Sequence, residues 1–470
     1  MRGERRGGGL RQRESETRPY AARTLTVTTK FERFTSRARN EPQTRFNSLM
    51  GLLTEAEGLR ESFERQNGTK APGVDGVRKD DYAAGLEERL DDLSARLRRL
   101  GYIPQPVRRA YIPKGDGRYR PLGVPSFEDR LVQDRLSRIL QAIWEPEFCD
   151  CSYGFRPGRS AHDALRRVAE VITNGQTQWV VEADIKGFFD HLSHTHLIRF
   201  LEHRIADPNL LRIVHRFLKA GVMEDGVFAN SDEGAPQGGL VSPVLTNIYL
   251  HYVLDLWFEK RFARQCAGRA YLIRYADDYV ACFEHEADAR ASLSAMADRL
   301  AQFSLEIEPS KTALIRFGSR SLGAPGGDGT EPRTFGFLGI THYMGRSRRG
   351  RFVVGRKTDG ERARKKLKLL DARLRSLRAH GGAAMVEYVV RHLSGHLQYY
   401  GVSGNARGVA TYFYRAAGLL YKWLNRRSQR RSFTWQGFHA AIGRLLPKVR
   451  IVHDLYPVPW WKTQTGSRMV

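Results

Sequence analysis

The sequence predicts an α+β fold in which helices at both ends of the chain enclose a strand-rich centre. Three patterns support this prediction. Apolar residues recur at helical spacing before residue 145, short apolar and β-branched strands occur at 179–185 and 270–283, and helical spacing returns after Gly360. With 470 residues, 41% of them hydrophobic, the chain is long enough for two or three packed domains.

The charge balance indicates a polyanionic partner. Lys and Arg number 77 against 51 Asp and Glu, which gives a formal net charge of +26. Nucleic acid is the leading candidate, because basic side chains bind it through phosphate contacts. A solvated basic surface and affinity for anionic lipid are the alternatives that composition leaves open.

The cysteines and the hydropathy pattern favour a cytoplasmic protein. The four cysteines form neither a disulfide framework nor a Cys-x-x-Cys zinc ladder, which fits a reducing compartment: Cys149, Cys151, Cys266 and Cys282. No apolar run approaches the roughly 18 residues that a membrane helix needs, so we expect no membrane partner.

The first part of the chain is expected to be helical apart from one hairpin. Residues 1–43 carry arginines among Gly, Ser and Thr, and we predict a flexible basic arm there. From residue 44 to 178, apolar spacing predicts helices over 46–63, 82–100 and 130–144. Prolines flank a predicted β-hairpin near 108–124.

The centre and the end of the chain have contrasting patterns. Residues 179–345 contain the buried strand Trp179–Ile185, two strands around an acidic turn, a Gly-rich surface loop at 323–329, and a short strand at 335–340. We then predict a connector at 346–358, a separate helical domain at 359–445 with leucine and valine stripes, and a C-terminal tail at 446–470.

Two carboxylate-bearing segments are the strongest candidates for a functional site. Tyr275-Ala-Asp-Asp278 lies at the tip of an apolar hairpin, and the strand Val180–Asp184 also ends on a carboxylate. Asp is a common turn former, which would explain one Asp-Asp pair taken alone. Carboxylates on neighbouring strand ends can instead hold two Mg²⁺ ions, with Mn²⁺ as a possible substitute. The predicted metal ligands are Asp184, Ile185, Asp277 and Asp278.

These segments and several others, in this order, resemble group II intron-encoded reverse transcriptases. The blocks are Ile112-Pro-Lys-Gly115, Arg120-Pro-Leu-Gly123, Ser152-Tyr-Gly-Phe-Arg-Pro-Gly-Arg-Ser160, Ala183-Asp-Ile-Lys-Gly-Phe-Phe-Asp190, Pro236-Gln-Gly-Gly-Leu-Val-Ser-Pro243 and the acidic turn. The resemblance implies a right-hand polymerase with fingers at 44–178, a palm at 179–345 and an α-helical thumb or maturase domain at 359–445. It also implies an RNA template, a DNA primer, dNTPs and group II intron RNA as partners.

The resemblance assigns further roles in nucleotide binding and catalysis. Lys114 and Arg120 would clamp the nucleotide phosphates, and Gln237 would lie against the nascent base pair. Phe189 would exclude a ribose 2′-hydroxyl, and Lys311 would act as a general acid for pyrophosphate beside the catalytic carboxylates. A solvated hairpin, an ordinary core phenylalanine and a solvated lysine are the structural alternatives.

Basic residues in two regions are predicted to bind nucleic acid. Arg156 and Arg159 would grip template phosphates from a Pro-Gly loop. In the C-terminal helices, cations with nearby Tyr421 and Trp423 would form an RNA-facing surface: Lys365, Arg426, Arg427 and Arg430. Packing and a solvated charged face remain open as alternatives.

The sequence departs from many intron-encoded proteins at its C-terminus. It ends at Val470 without a segment that resembles their His-Asn-His nuclease, so we expect no second-strand cleavage. Two other functions stay open: an RNA-binding maturase with little polymerase activity, and a host-adopted reverse transcriptase in DNA repair or phage defence. An RNA-templated RNA polymerase is disfavoured by Phe189.

Overall fold

The computed structural model describes residues 20–113, 119–174, 176–235, 237–321, 333–347, 349–426 and 432–457. Its helices and mostly antiparallel sheets occupy largely separate stretches of the chain, which confirms the predicted α+β class. In these ranges no helix is both long and apolar enough to cross a bilayer. The Gly-rich loop predicted at 323–329 lies outside the described residues.

The strands form three small sheets. In chain order the strands are β1 Val107–Pro113, β2 Tyr119–Val124, β3 Trp179–Asp184, β4 Val222–Glu224, β5 Val227–Ala229, β6 Ala270–Tyr275, β7 Asp278–Phe283, β8 Ala313–Arg316, β9 Thr334–Phe337, β10 Ile340–Arg346 and β11 Phe352–Thr358. Their orders are β2-β1-β4-β5, β6-β7-β3-β8 and β11-β10-β9. Within the first sheet, β1 and β4 run parallel, and every other pairing is antiparallel.

Helices precede, separate and follow these strands. They are α1 Tyr20–Asn40, α2 Met50–Leu53, α3 Ala56–Arg65, α4 Lys79–Ala83, α5 Leu86–Arg98, α6 Phe127–Trp144, α7 Ala161–Thr173, α8 His194–Glu202, α9 Pro208–Leu218, α10 Ser242–Leu250, α11 Ala263–Gln265, α12 Glu286–Ala301, α13 Gly360–Ser376, α14 Gly381–Tyr400, α15 Ala406–Asn425 and α16 Trp435–Ala441. Two π-helical turns, His251–Asp255 and Phe258–Phe262, lie between α10 and α11.

The sheet β6-β7-β3-β8 separates two hydrophobic cores. Because side chains alternate along a strand, β3 sends Val181 and Ala183 into one core and Val180 into the other. The first core also contains helices α1 to α6 and α8 to α10, and the second contains α7 and α13 to α16. The C-terminal helices therefore share a core with the central sheet, which corrects the expectation of a separate helical domain.

The prediction of a flexible arm over residues 1–43 is wrong for its second half. Residues 20–40 form α1, and residues 1–19 lie outside the described part of the chain. Phe31 and Ala38 are buried against the first core, and the guanidinium groups of Arg135 and Arg138 each lie 4.7 Å from the Phe31 ring centroid. Two buried residues seven positions apart lie on one helix face, and the surrounding polar residues hid this spacing.

Two predicted helices are each divided in the structure. The helix expected over 46–63 is α2 and α3, because Glu55 is extended between them and pairs with Lys30 and Arg135. The helix expected over 82–100 is α4 and α5, because Gly85 between them has a left-handed backbone with φ of 73°. Apolar spacing did not show either break. Tertiary contacts of Glu55 explain the first, and the backbone conformation of Gly85 explains the second.

The connector and the tail are also more ordered than predicted. Residues 352–358 form β11, which pairs with all of β10 and so belongs to a sheet. The strand expected at 335–340 turns at Leu338 and Gly339, so that β9 and β10 form a hairpin. In the tail, Leu455 is fully buried and its carbonyl oxygen accepts a hydrogen bond from Arg356 at 2.9 Å. Residues 458–470 are outside the described part.

Candidate active site

The three predicted carboxylates lie at one edge of the central sheet. Asp184 is the last residue of β3, Asp278 is the first residue of β7, and these two residues are directly opposite in the antiparallel register. Asp277 lies in the turn that joins β6 to β7. The apolar residues of both strands fix this register, because a shift by one position would move their side chains to the wrong core.

The turn that carries Asp277 has an unusual backbone. Ala276 has φ of 58°, a left-handed conformation that side chains other than glycine seldom adopt. Gly154 packs directly against it: a β-carbon at position 154 would lie 2.4 Å from the Ala276 nitrogen. The loop before α7 therefore supports the acidic turn from below, and only glycine leaves room for this approach.

A buried arginine fastens the same turn. The Arg274 guanidinium is fully buried and pairs with Asp255 from the first π-helical turn. It also donates hydrogen bonds to the Ala276 carbonyl at 2.9 Å, to Asn247 Oδ1 at 3.1 Å and to Ser152 Oγ at 2.8 Å. Burial alone would lower the pKa of Arg274, but the Asp255 carboxylate raises it above its ordinary value.

Burial and, after it, neighbouring carboxylates raise the pKa values of two of the three acids. Desolvation by the surrounding protein and the charge of Asp184 raise the pKa of Asp277, although Arg120 and Lys311 oppose the change. Desolvation, Asp277 and Asp184 raise the pKa of Asp278 to about 6, even though its side chain opens on the cleft. The nearby cations therefore do not fully offset the burial and the acidic neighbours that disfavour the charged forms of Asp277 and Asp278.

Lys311 lies at the same edge, as the sequence analysis expected. It is the last residue of the short 3₁₀ turn Pro309–Lys311, and its ammonium group contacts Asp184 Oδ2 directly. This hydrogen bond raises the pKa of Lys311, with the charges of Asp184 and Asp278 adding to the effect. Lys311 is therefore a protonated group beside the carboxylates at neutral pH.

The carboxylates suit a hard divalent cation. Carboxylate oxygen is the ligand that Mg²⁺ prefers, and excess negative charge is what such an ion would offset. The three carboxylates are more widely spread than the ligands of a closed metal site. Within the described ranges, the ligand atoms of one other cluster all lie within 4.8 Å of one another, and those of the three carboxylates do not. Ile185 follows Asp184 with its side chain buried, and a metal contact through Ile185 stays a prediction.

Asp184 and Asp278 line a cleft of about 230 Å³ together with an arginine that the sequence did not single out. Arg362, near the start of α13, lines this cleft and lowers the pKa of Asp278 against the effect of its acidic neighbours. The opposite wall is the turn at Leu338 and Gly339. Arg362 is one of many cations in α13, so sequence spacing could not distinguish it from the rest.

Two of the predicted nucleotide-binding residues share a cavity, and a third acts on the carboxylates. Phe189 and Gln237 line a separate cavity of about 250 Å³. Phe189 is half-buried with its ring against the buried Phe188, whereas Arg120 on β2 is exposed and acts on Asp277. The Gly123 amide donates to the Gln237 carbonyl at 2.6 Å, so the hairpin β1–β2 contacts the Gln237 loop. Lys114 lies outside the described residues.

The predicted nucleic-acid contacts need one correction. Arg156 is buried, pairs with Glu145 at 2.8 Å and donates to the Cys149 and Ser152 carbonyls, so it holds the loop together and is not open to phosphate. The sequence could not show this ion pair, because Glu145 and Arg156 belong to different turns of the chain. Arg159 is partly exposed, with its guanidinium 5.3 Å from the Tyr153 ring centroid.

The C-terminal cations are only partly described. Lys365 pairs with Glu361 at 2.6 Å on α13, and Arg426 at the end of α15 lies 5.9 Å from the Trp423 ring centroid. Arg427 and Arg430 are outside the described residues. Lys365 and Arg426 are at least partly exposed, and their contacts with nucleic acid stay a prediction.

Comparison with protein families gives one match over the centre of the chain. Residues 112–342 match the family described as reverse transcriptase (RNA-dependent DNA polymerase). These residues include both carboxylate-bearing strands, β2 with the end of β1, Gln237 and Lys311.

Several curated proteins are similar over a fifth to a half of this chain. Protein YkfC of Escherichia coli (strain K12) is 39% identical over 231 residues, which cover 48% of this chain and 60% of YkfC. Group II intron-encoded protein LtrA of Lactococcus lactis subsp. cremoris is 37% identical over 244 residues, 51% of this chain and 40% of LtrA. Nuclear intron maturase 1, mitochondrial, of Arabidopsis thaliana is 30% identical over 95 residues, 20% of this chain and 13% of that protein. These matches confirm the resemblance stated from the motifs.

Proposed function

We propose that this chain, which matches the reverse transcriptase family over residues 112–342 and is similar to group II intron-encoded protein LtrA, is an RNA-directed DNA polymerase that copies an RNA template from a DNA primer. The observation that carries the proposal is the pairing of Asp184 with Asp278 at the sheet edge, with Asp277 beside them in the turn. Enzymes of this family depend on divalent metal ions, and the charge excess at this edge is what such ions would balance.

Asp184, Asp277 and Asp278 would hold two Mg²⁺ ions, which when bound would activate a primer 3′-hydroxyl and stabilise the leaving pyrophosphate. The side chains around them perform the remaining tasks. Lys311 holds its proton at neutral pH and would deliver it to the pyrophosphate oxygen as that group leaves. For this delivery, its ammonium group would leave Asp184, which would then be released for metal binding.

The nucleotide would lie between the hairpin β1–β2 and the sheet edge. Arg120 is close enough to Asp277 to lower its pKa, so its guanidinium would meet triphosphate oxygens at the same place. Phe189 and Gln237 share the neighbouring cavity, where Gln237 would contact the base pair. The half-buried Phe189 ring would occupy the space of a ribose 2′-hydroxyl and favour dNTPs by steric exclusion.

We further propose that the basic face of the C-terminal helices binds group II intron RNA and assists splicing and mobility. Lys365 lies on α13 and Arg426 lies near the Trp423 ring, and the net charge of +26 supports extended phosphate contact. We propose fingers over residues 44–178, a palm over 179–345 and a thumb over 359–445. The helix α1 would extend the fingers, and β11 would join the palm to the thumb.

The experiment that tests the polymerase is extension of a DNA primer on an RNA template with Mg²⁺ and either dNTPs or NTPs. We expect extension with dNTPs, much less with NTPs, and none above background for Asp277→Ala. The exposed Asp91→Ala on α5 is the matched control, because it removes one carboxylate far from the cleft. Tight binding of structured RNA without any extension would reject the polymerase in favour of a binding-only maturase.

A further inference from the structure

Two of the four cysteines lie close to a glutamate near the acidic turn, and a histidine lies beside one of these cysteines. Cys149 and Cys151 lie in the loop before α7, and Glu259 lies in the second π-helical turn. The ligand atoms of these three residues all lie within 4.8 Å of one another. His251, in the first π-helical turn, places its Nδ1 3.9 Å from Cys149 Sγ.

These distances are close to those of a tetrahedral zinc site. Three atoms within 4.8 Å of one another share a point about 2.8 Å from each, whereas zinc needs about 2.3 Å to sulfur and 2.0–2.2 Å to oxygen. Side-chain movements of about half an ångström would therefore complete the geometry. The sulfur-to-nitrogen distance of 3.9 Å is also near the roughly 3.6 Å that separates two such ligands on one zinc ion.

The backbone that carries His251 and Glu259 departs from a regular α-helix. π-Helical turns are rare, and they often occur where a side chain must be redirected for a function. Here two of them follow each other between α10 and α11, and each carries one of the candidate ligands, His251 and Glu259.

The surroundings permit an added cation. The nearby guanidinium groups are already paired, Arg156 with Glu145 and Arg274 with Asp255. Cys151 and Glu259 also line a cavity of about 590 Å³, which offers a route of entry.

We propose that Cys149, Cys151 and Glu259 bind one zinc ion, that a side-chain movement of His251 beside Cys149 supplies the fourth ligand, and that the ion fastens the loop before α7 to the helix after α10. Two thiolates with an imidazole and a carboxylate suit zinc, whereas Mg²⁺ avoids sulfur. The site is therefore chemically distinct from the oxygen-only cleft above it.

The zinc ion would brace the acidic turn from both sides. Cys151 accepts a backbone hydrogen bond from Arg274 at 2.8 Å, and Tyr153 donates one to the Arg274 carbonyl at 2.8 Å. On the other side, Asp255, which pairs with Arg274, lies between the two helical ligands in sequence. One metal ion would thus join the two segments that hold Arg274.

The first test is the metal content of the full chain, purified without chelators or an affinity tag. We expect one zinc ion per chain. The double variant Cys149→Ser/Cys151→Ser should lose nearly all of it. Cys266→Ser is the matched control, because Cys266 is a half-buried thiol outside the cluster and its variant should keep the metal.

The second test does not depend on the folding of any variant. Zinc in the intact chain is replaced by Co²⁺, and we expect the visible absorption of a tetrahedral site with a thiolate-to-cobalt charge-transfer band. Glu259→Gln should weaken Co²⁺ binding by at least about tenfold in competition with a chelating dye. A reduced chain without zinc and without the thiolate band would overturn the proposal, as would a Cys149–Cys151 disulfide in the freshly purified protein. Primer extension is not a readout here, so failure of the polymerase proposal would leave these results unchanged.

Discussion

Charged side chains lie on both sides of the acidic turn, but the two groups are compensated in different ways. Below the turn, Arg274 and Asp255 are fully buried as a pair, and Arg274 donates further hydrogen bonds to three neighbours. Above it, Asp277 and Asp278 have raised pKa values because protein and other carboxylates surround them. The closed network fixes the backbone, whereas the open cluster retains a charge that a metal ion can neutralise.

Removing the cation of the closed network should give the largest effect on stability. Arg274→Met leaves the Asp255 carboxylate buried without its partner, and we expect a loss of about 3–5 kcal/mol in the free energy of unfolding. Urea titration followed by circular dichroism measures it. The surface pair of Arg290 with Glu286 is the control, since Arg290→Met should change stability by less than about 0.5 kcal/mol.

The double variant Arg274→Met/Asp255→Leu separates charge from packing. We expect it to regain part of the lost stability, because neither charge then remains buried alone. An equal loss in the single and double variants would contradict the account of the network as a charge pair.

Removing a cation from the open cluster should affect activity instead. Lys311→Ala deletes the ammonium group that contacts Asp184, and we expect the rate of nucleotide incorporation to fall by about 10²-fold. The free energy of unfolding should change by less than about 1 kcal/mol, because the pair is exposed on the lysine side. Lys186→Ala, which breaks the surface pair with Glu306, is the control and should retain activity.

Stopped-flow incorporation of a single dNTP, together with urea titration, tests this prediction. A Lys311→Ala variant that incorporates at the normal rate would show that Lys311 only screens the carboxylates.

The pH dependence of the free energy of unfolding should show the raised pKa of Asp278. The pKa of Asp278 is about 6 in the folded chain and near 4 in an unfolded one, so the folded state binds the proton more tightly. Its contribution to stability is therefore favourable at low pH and is lost as pH rises from about 4 to 6. Asp278→Asn removes this loss. The difference in stability between the variant and the wild type should therefore be more favourable to the variant at pH 7 than at pH 4.

Thermal unfolding of both proteins at the two pH values measures the difference. A stability difference that stays constant between pH 4 and pH 7 would show that Asp278 has an ordinary pKa. Added Mg²⁺ should reduce the difference at pH 7, since a bound cation favours the charged form.

The sequence was most informative where strands and motifs coincide. The strand predicted at Trp179–Ile185 forms over Trp179–Asp184 and the hairpin around Asp277 forms as predicted, because a short run of apolar and β-branched residues and a tight turn are local signals. Local signals did not reveal Arg274, whose partners Asp255, Asn247 and Ser152 are brought together only by folding. The same limit explains why Arg156 was assigned to template phosphates although it is buried against Glu145.

The N-terminal helix shows a second limit. The apolar positions of α1 are few and lie among basic and polar residues, so composition outweighed the helical spacing of Phe31 and Ala38. The metal-ligating potential of Cys149 and Cys151 was likewise hidden, because Glu259 and His251 are about one hundred residues away in sequence.

The most direct test of the central claim locates the divalent ion without relying on activity. Fe²⁺ replaces Mg²⁺ in the presence of primer, template and dNTP, and the radicals formed with peroxide cut the backbone beside the bound iron. We predict cuts near residues 184 and 277–278 that excess Mg²⁺ suppresses and that Asp184→Asn lacks. Cuts confined to the Cys149 and Glu259 segments, or cuts at the acidic turn that persist in Asp184→Asn, would contradict the assignment of the carboxylate cluster as the metal site.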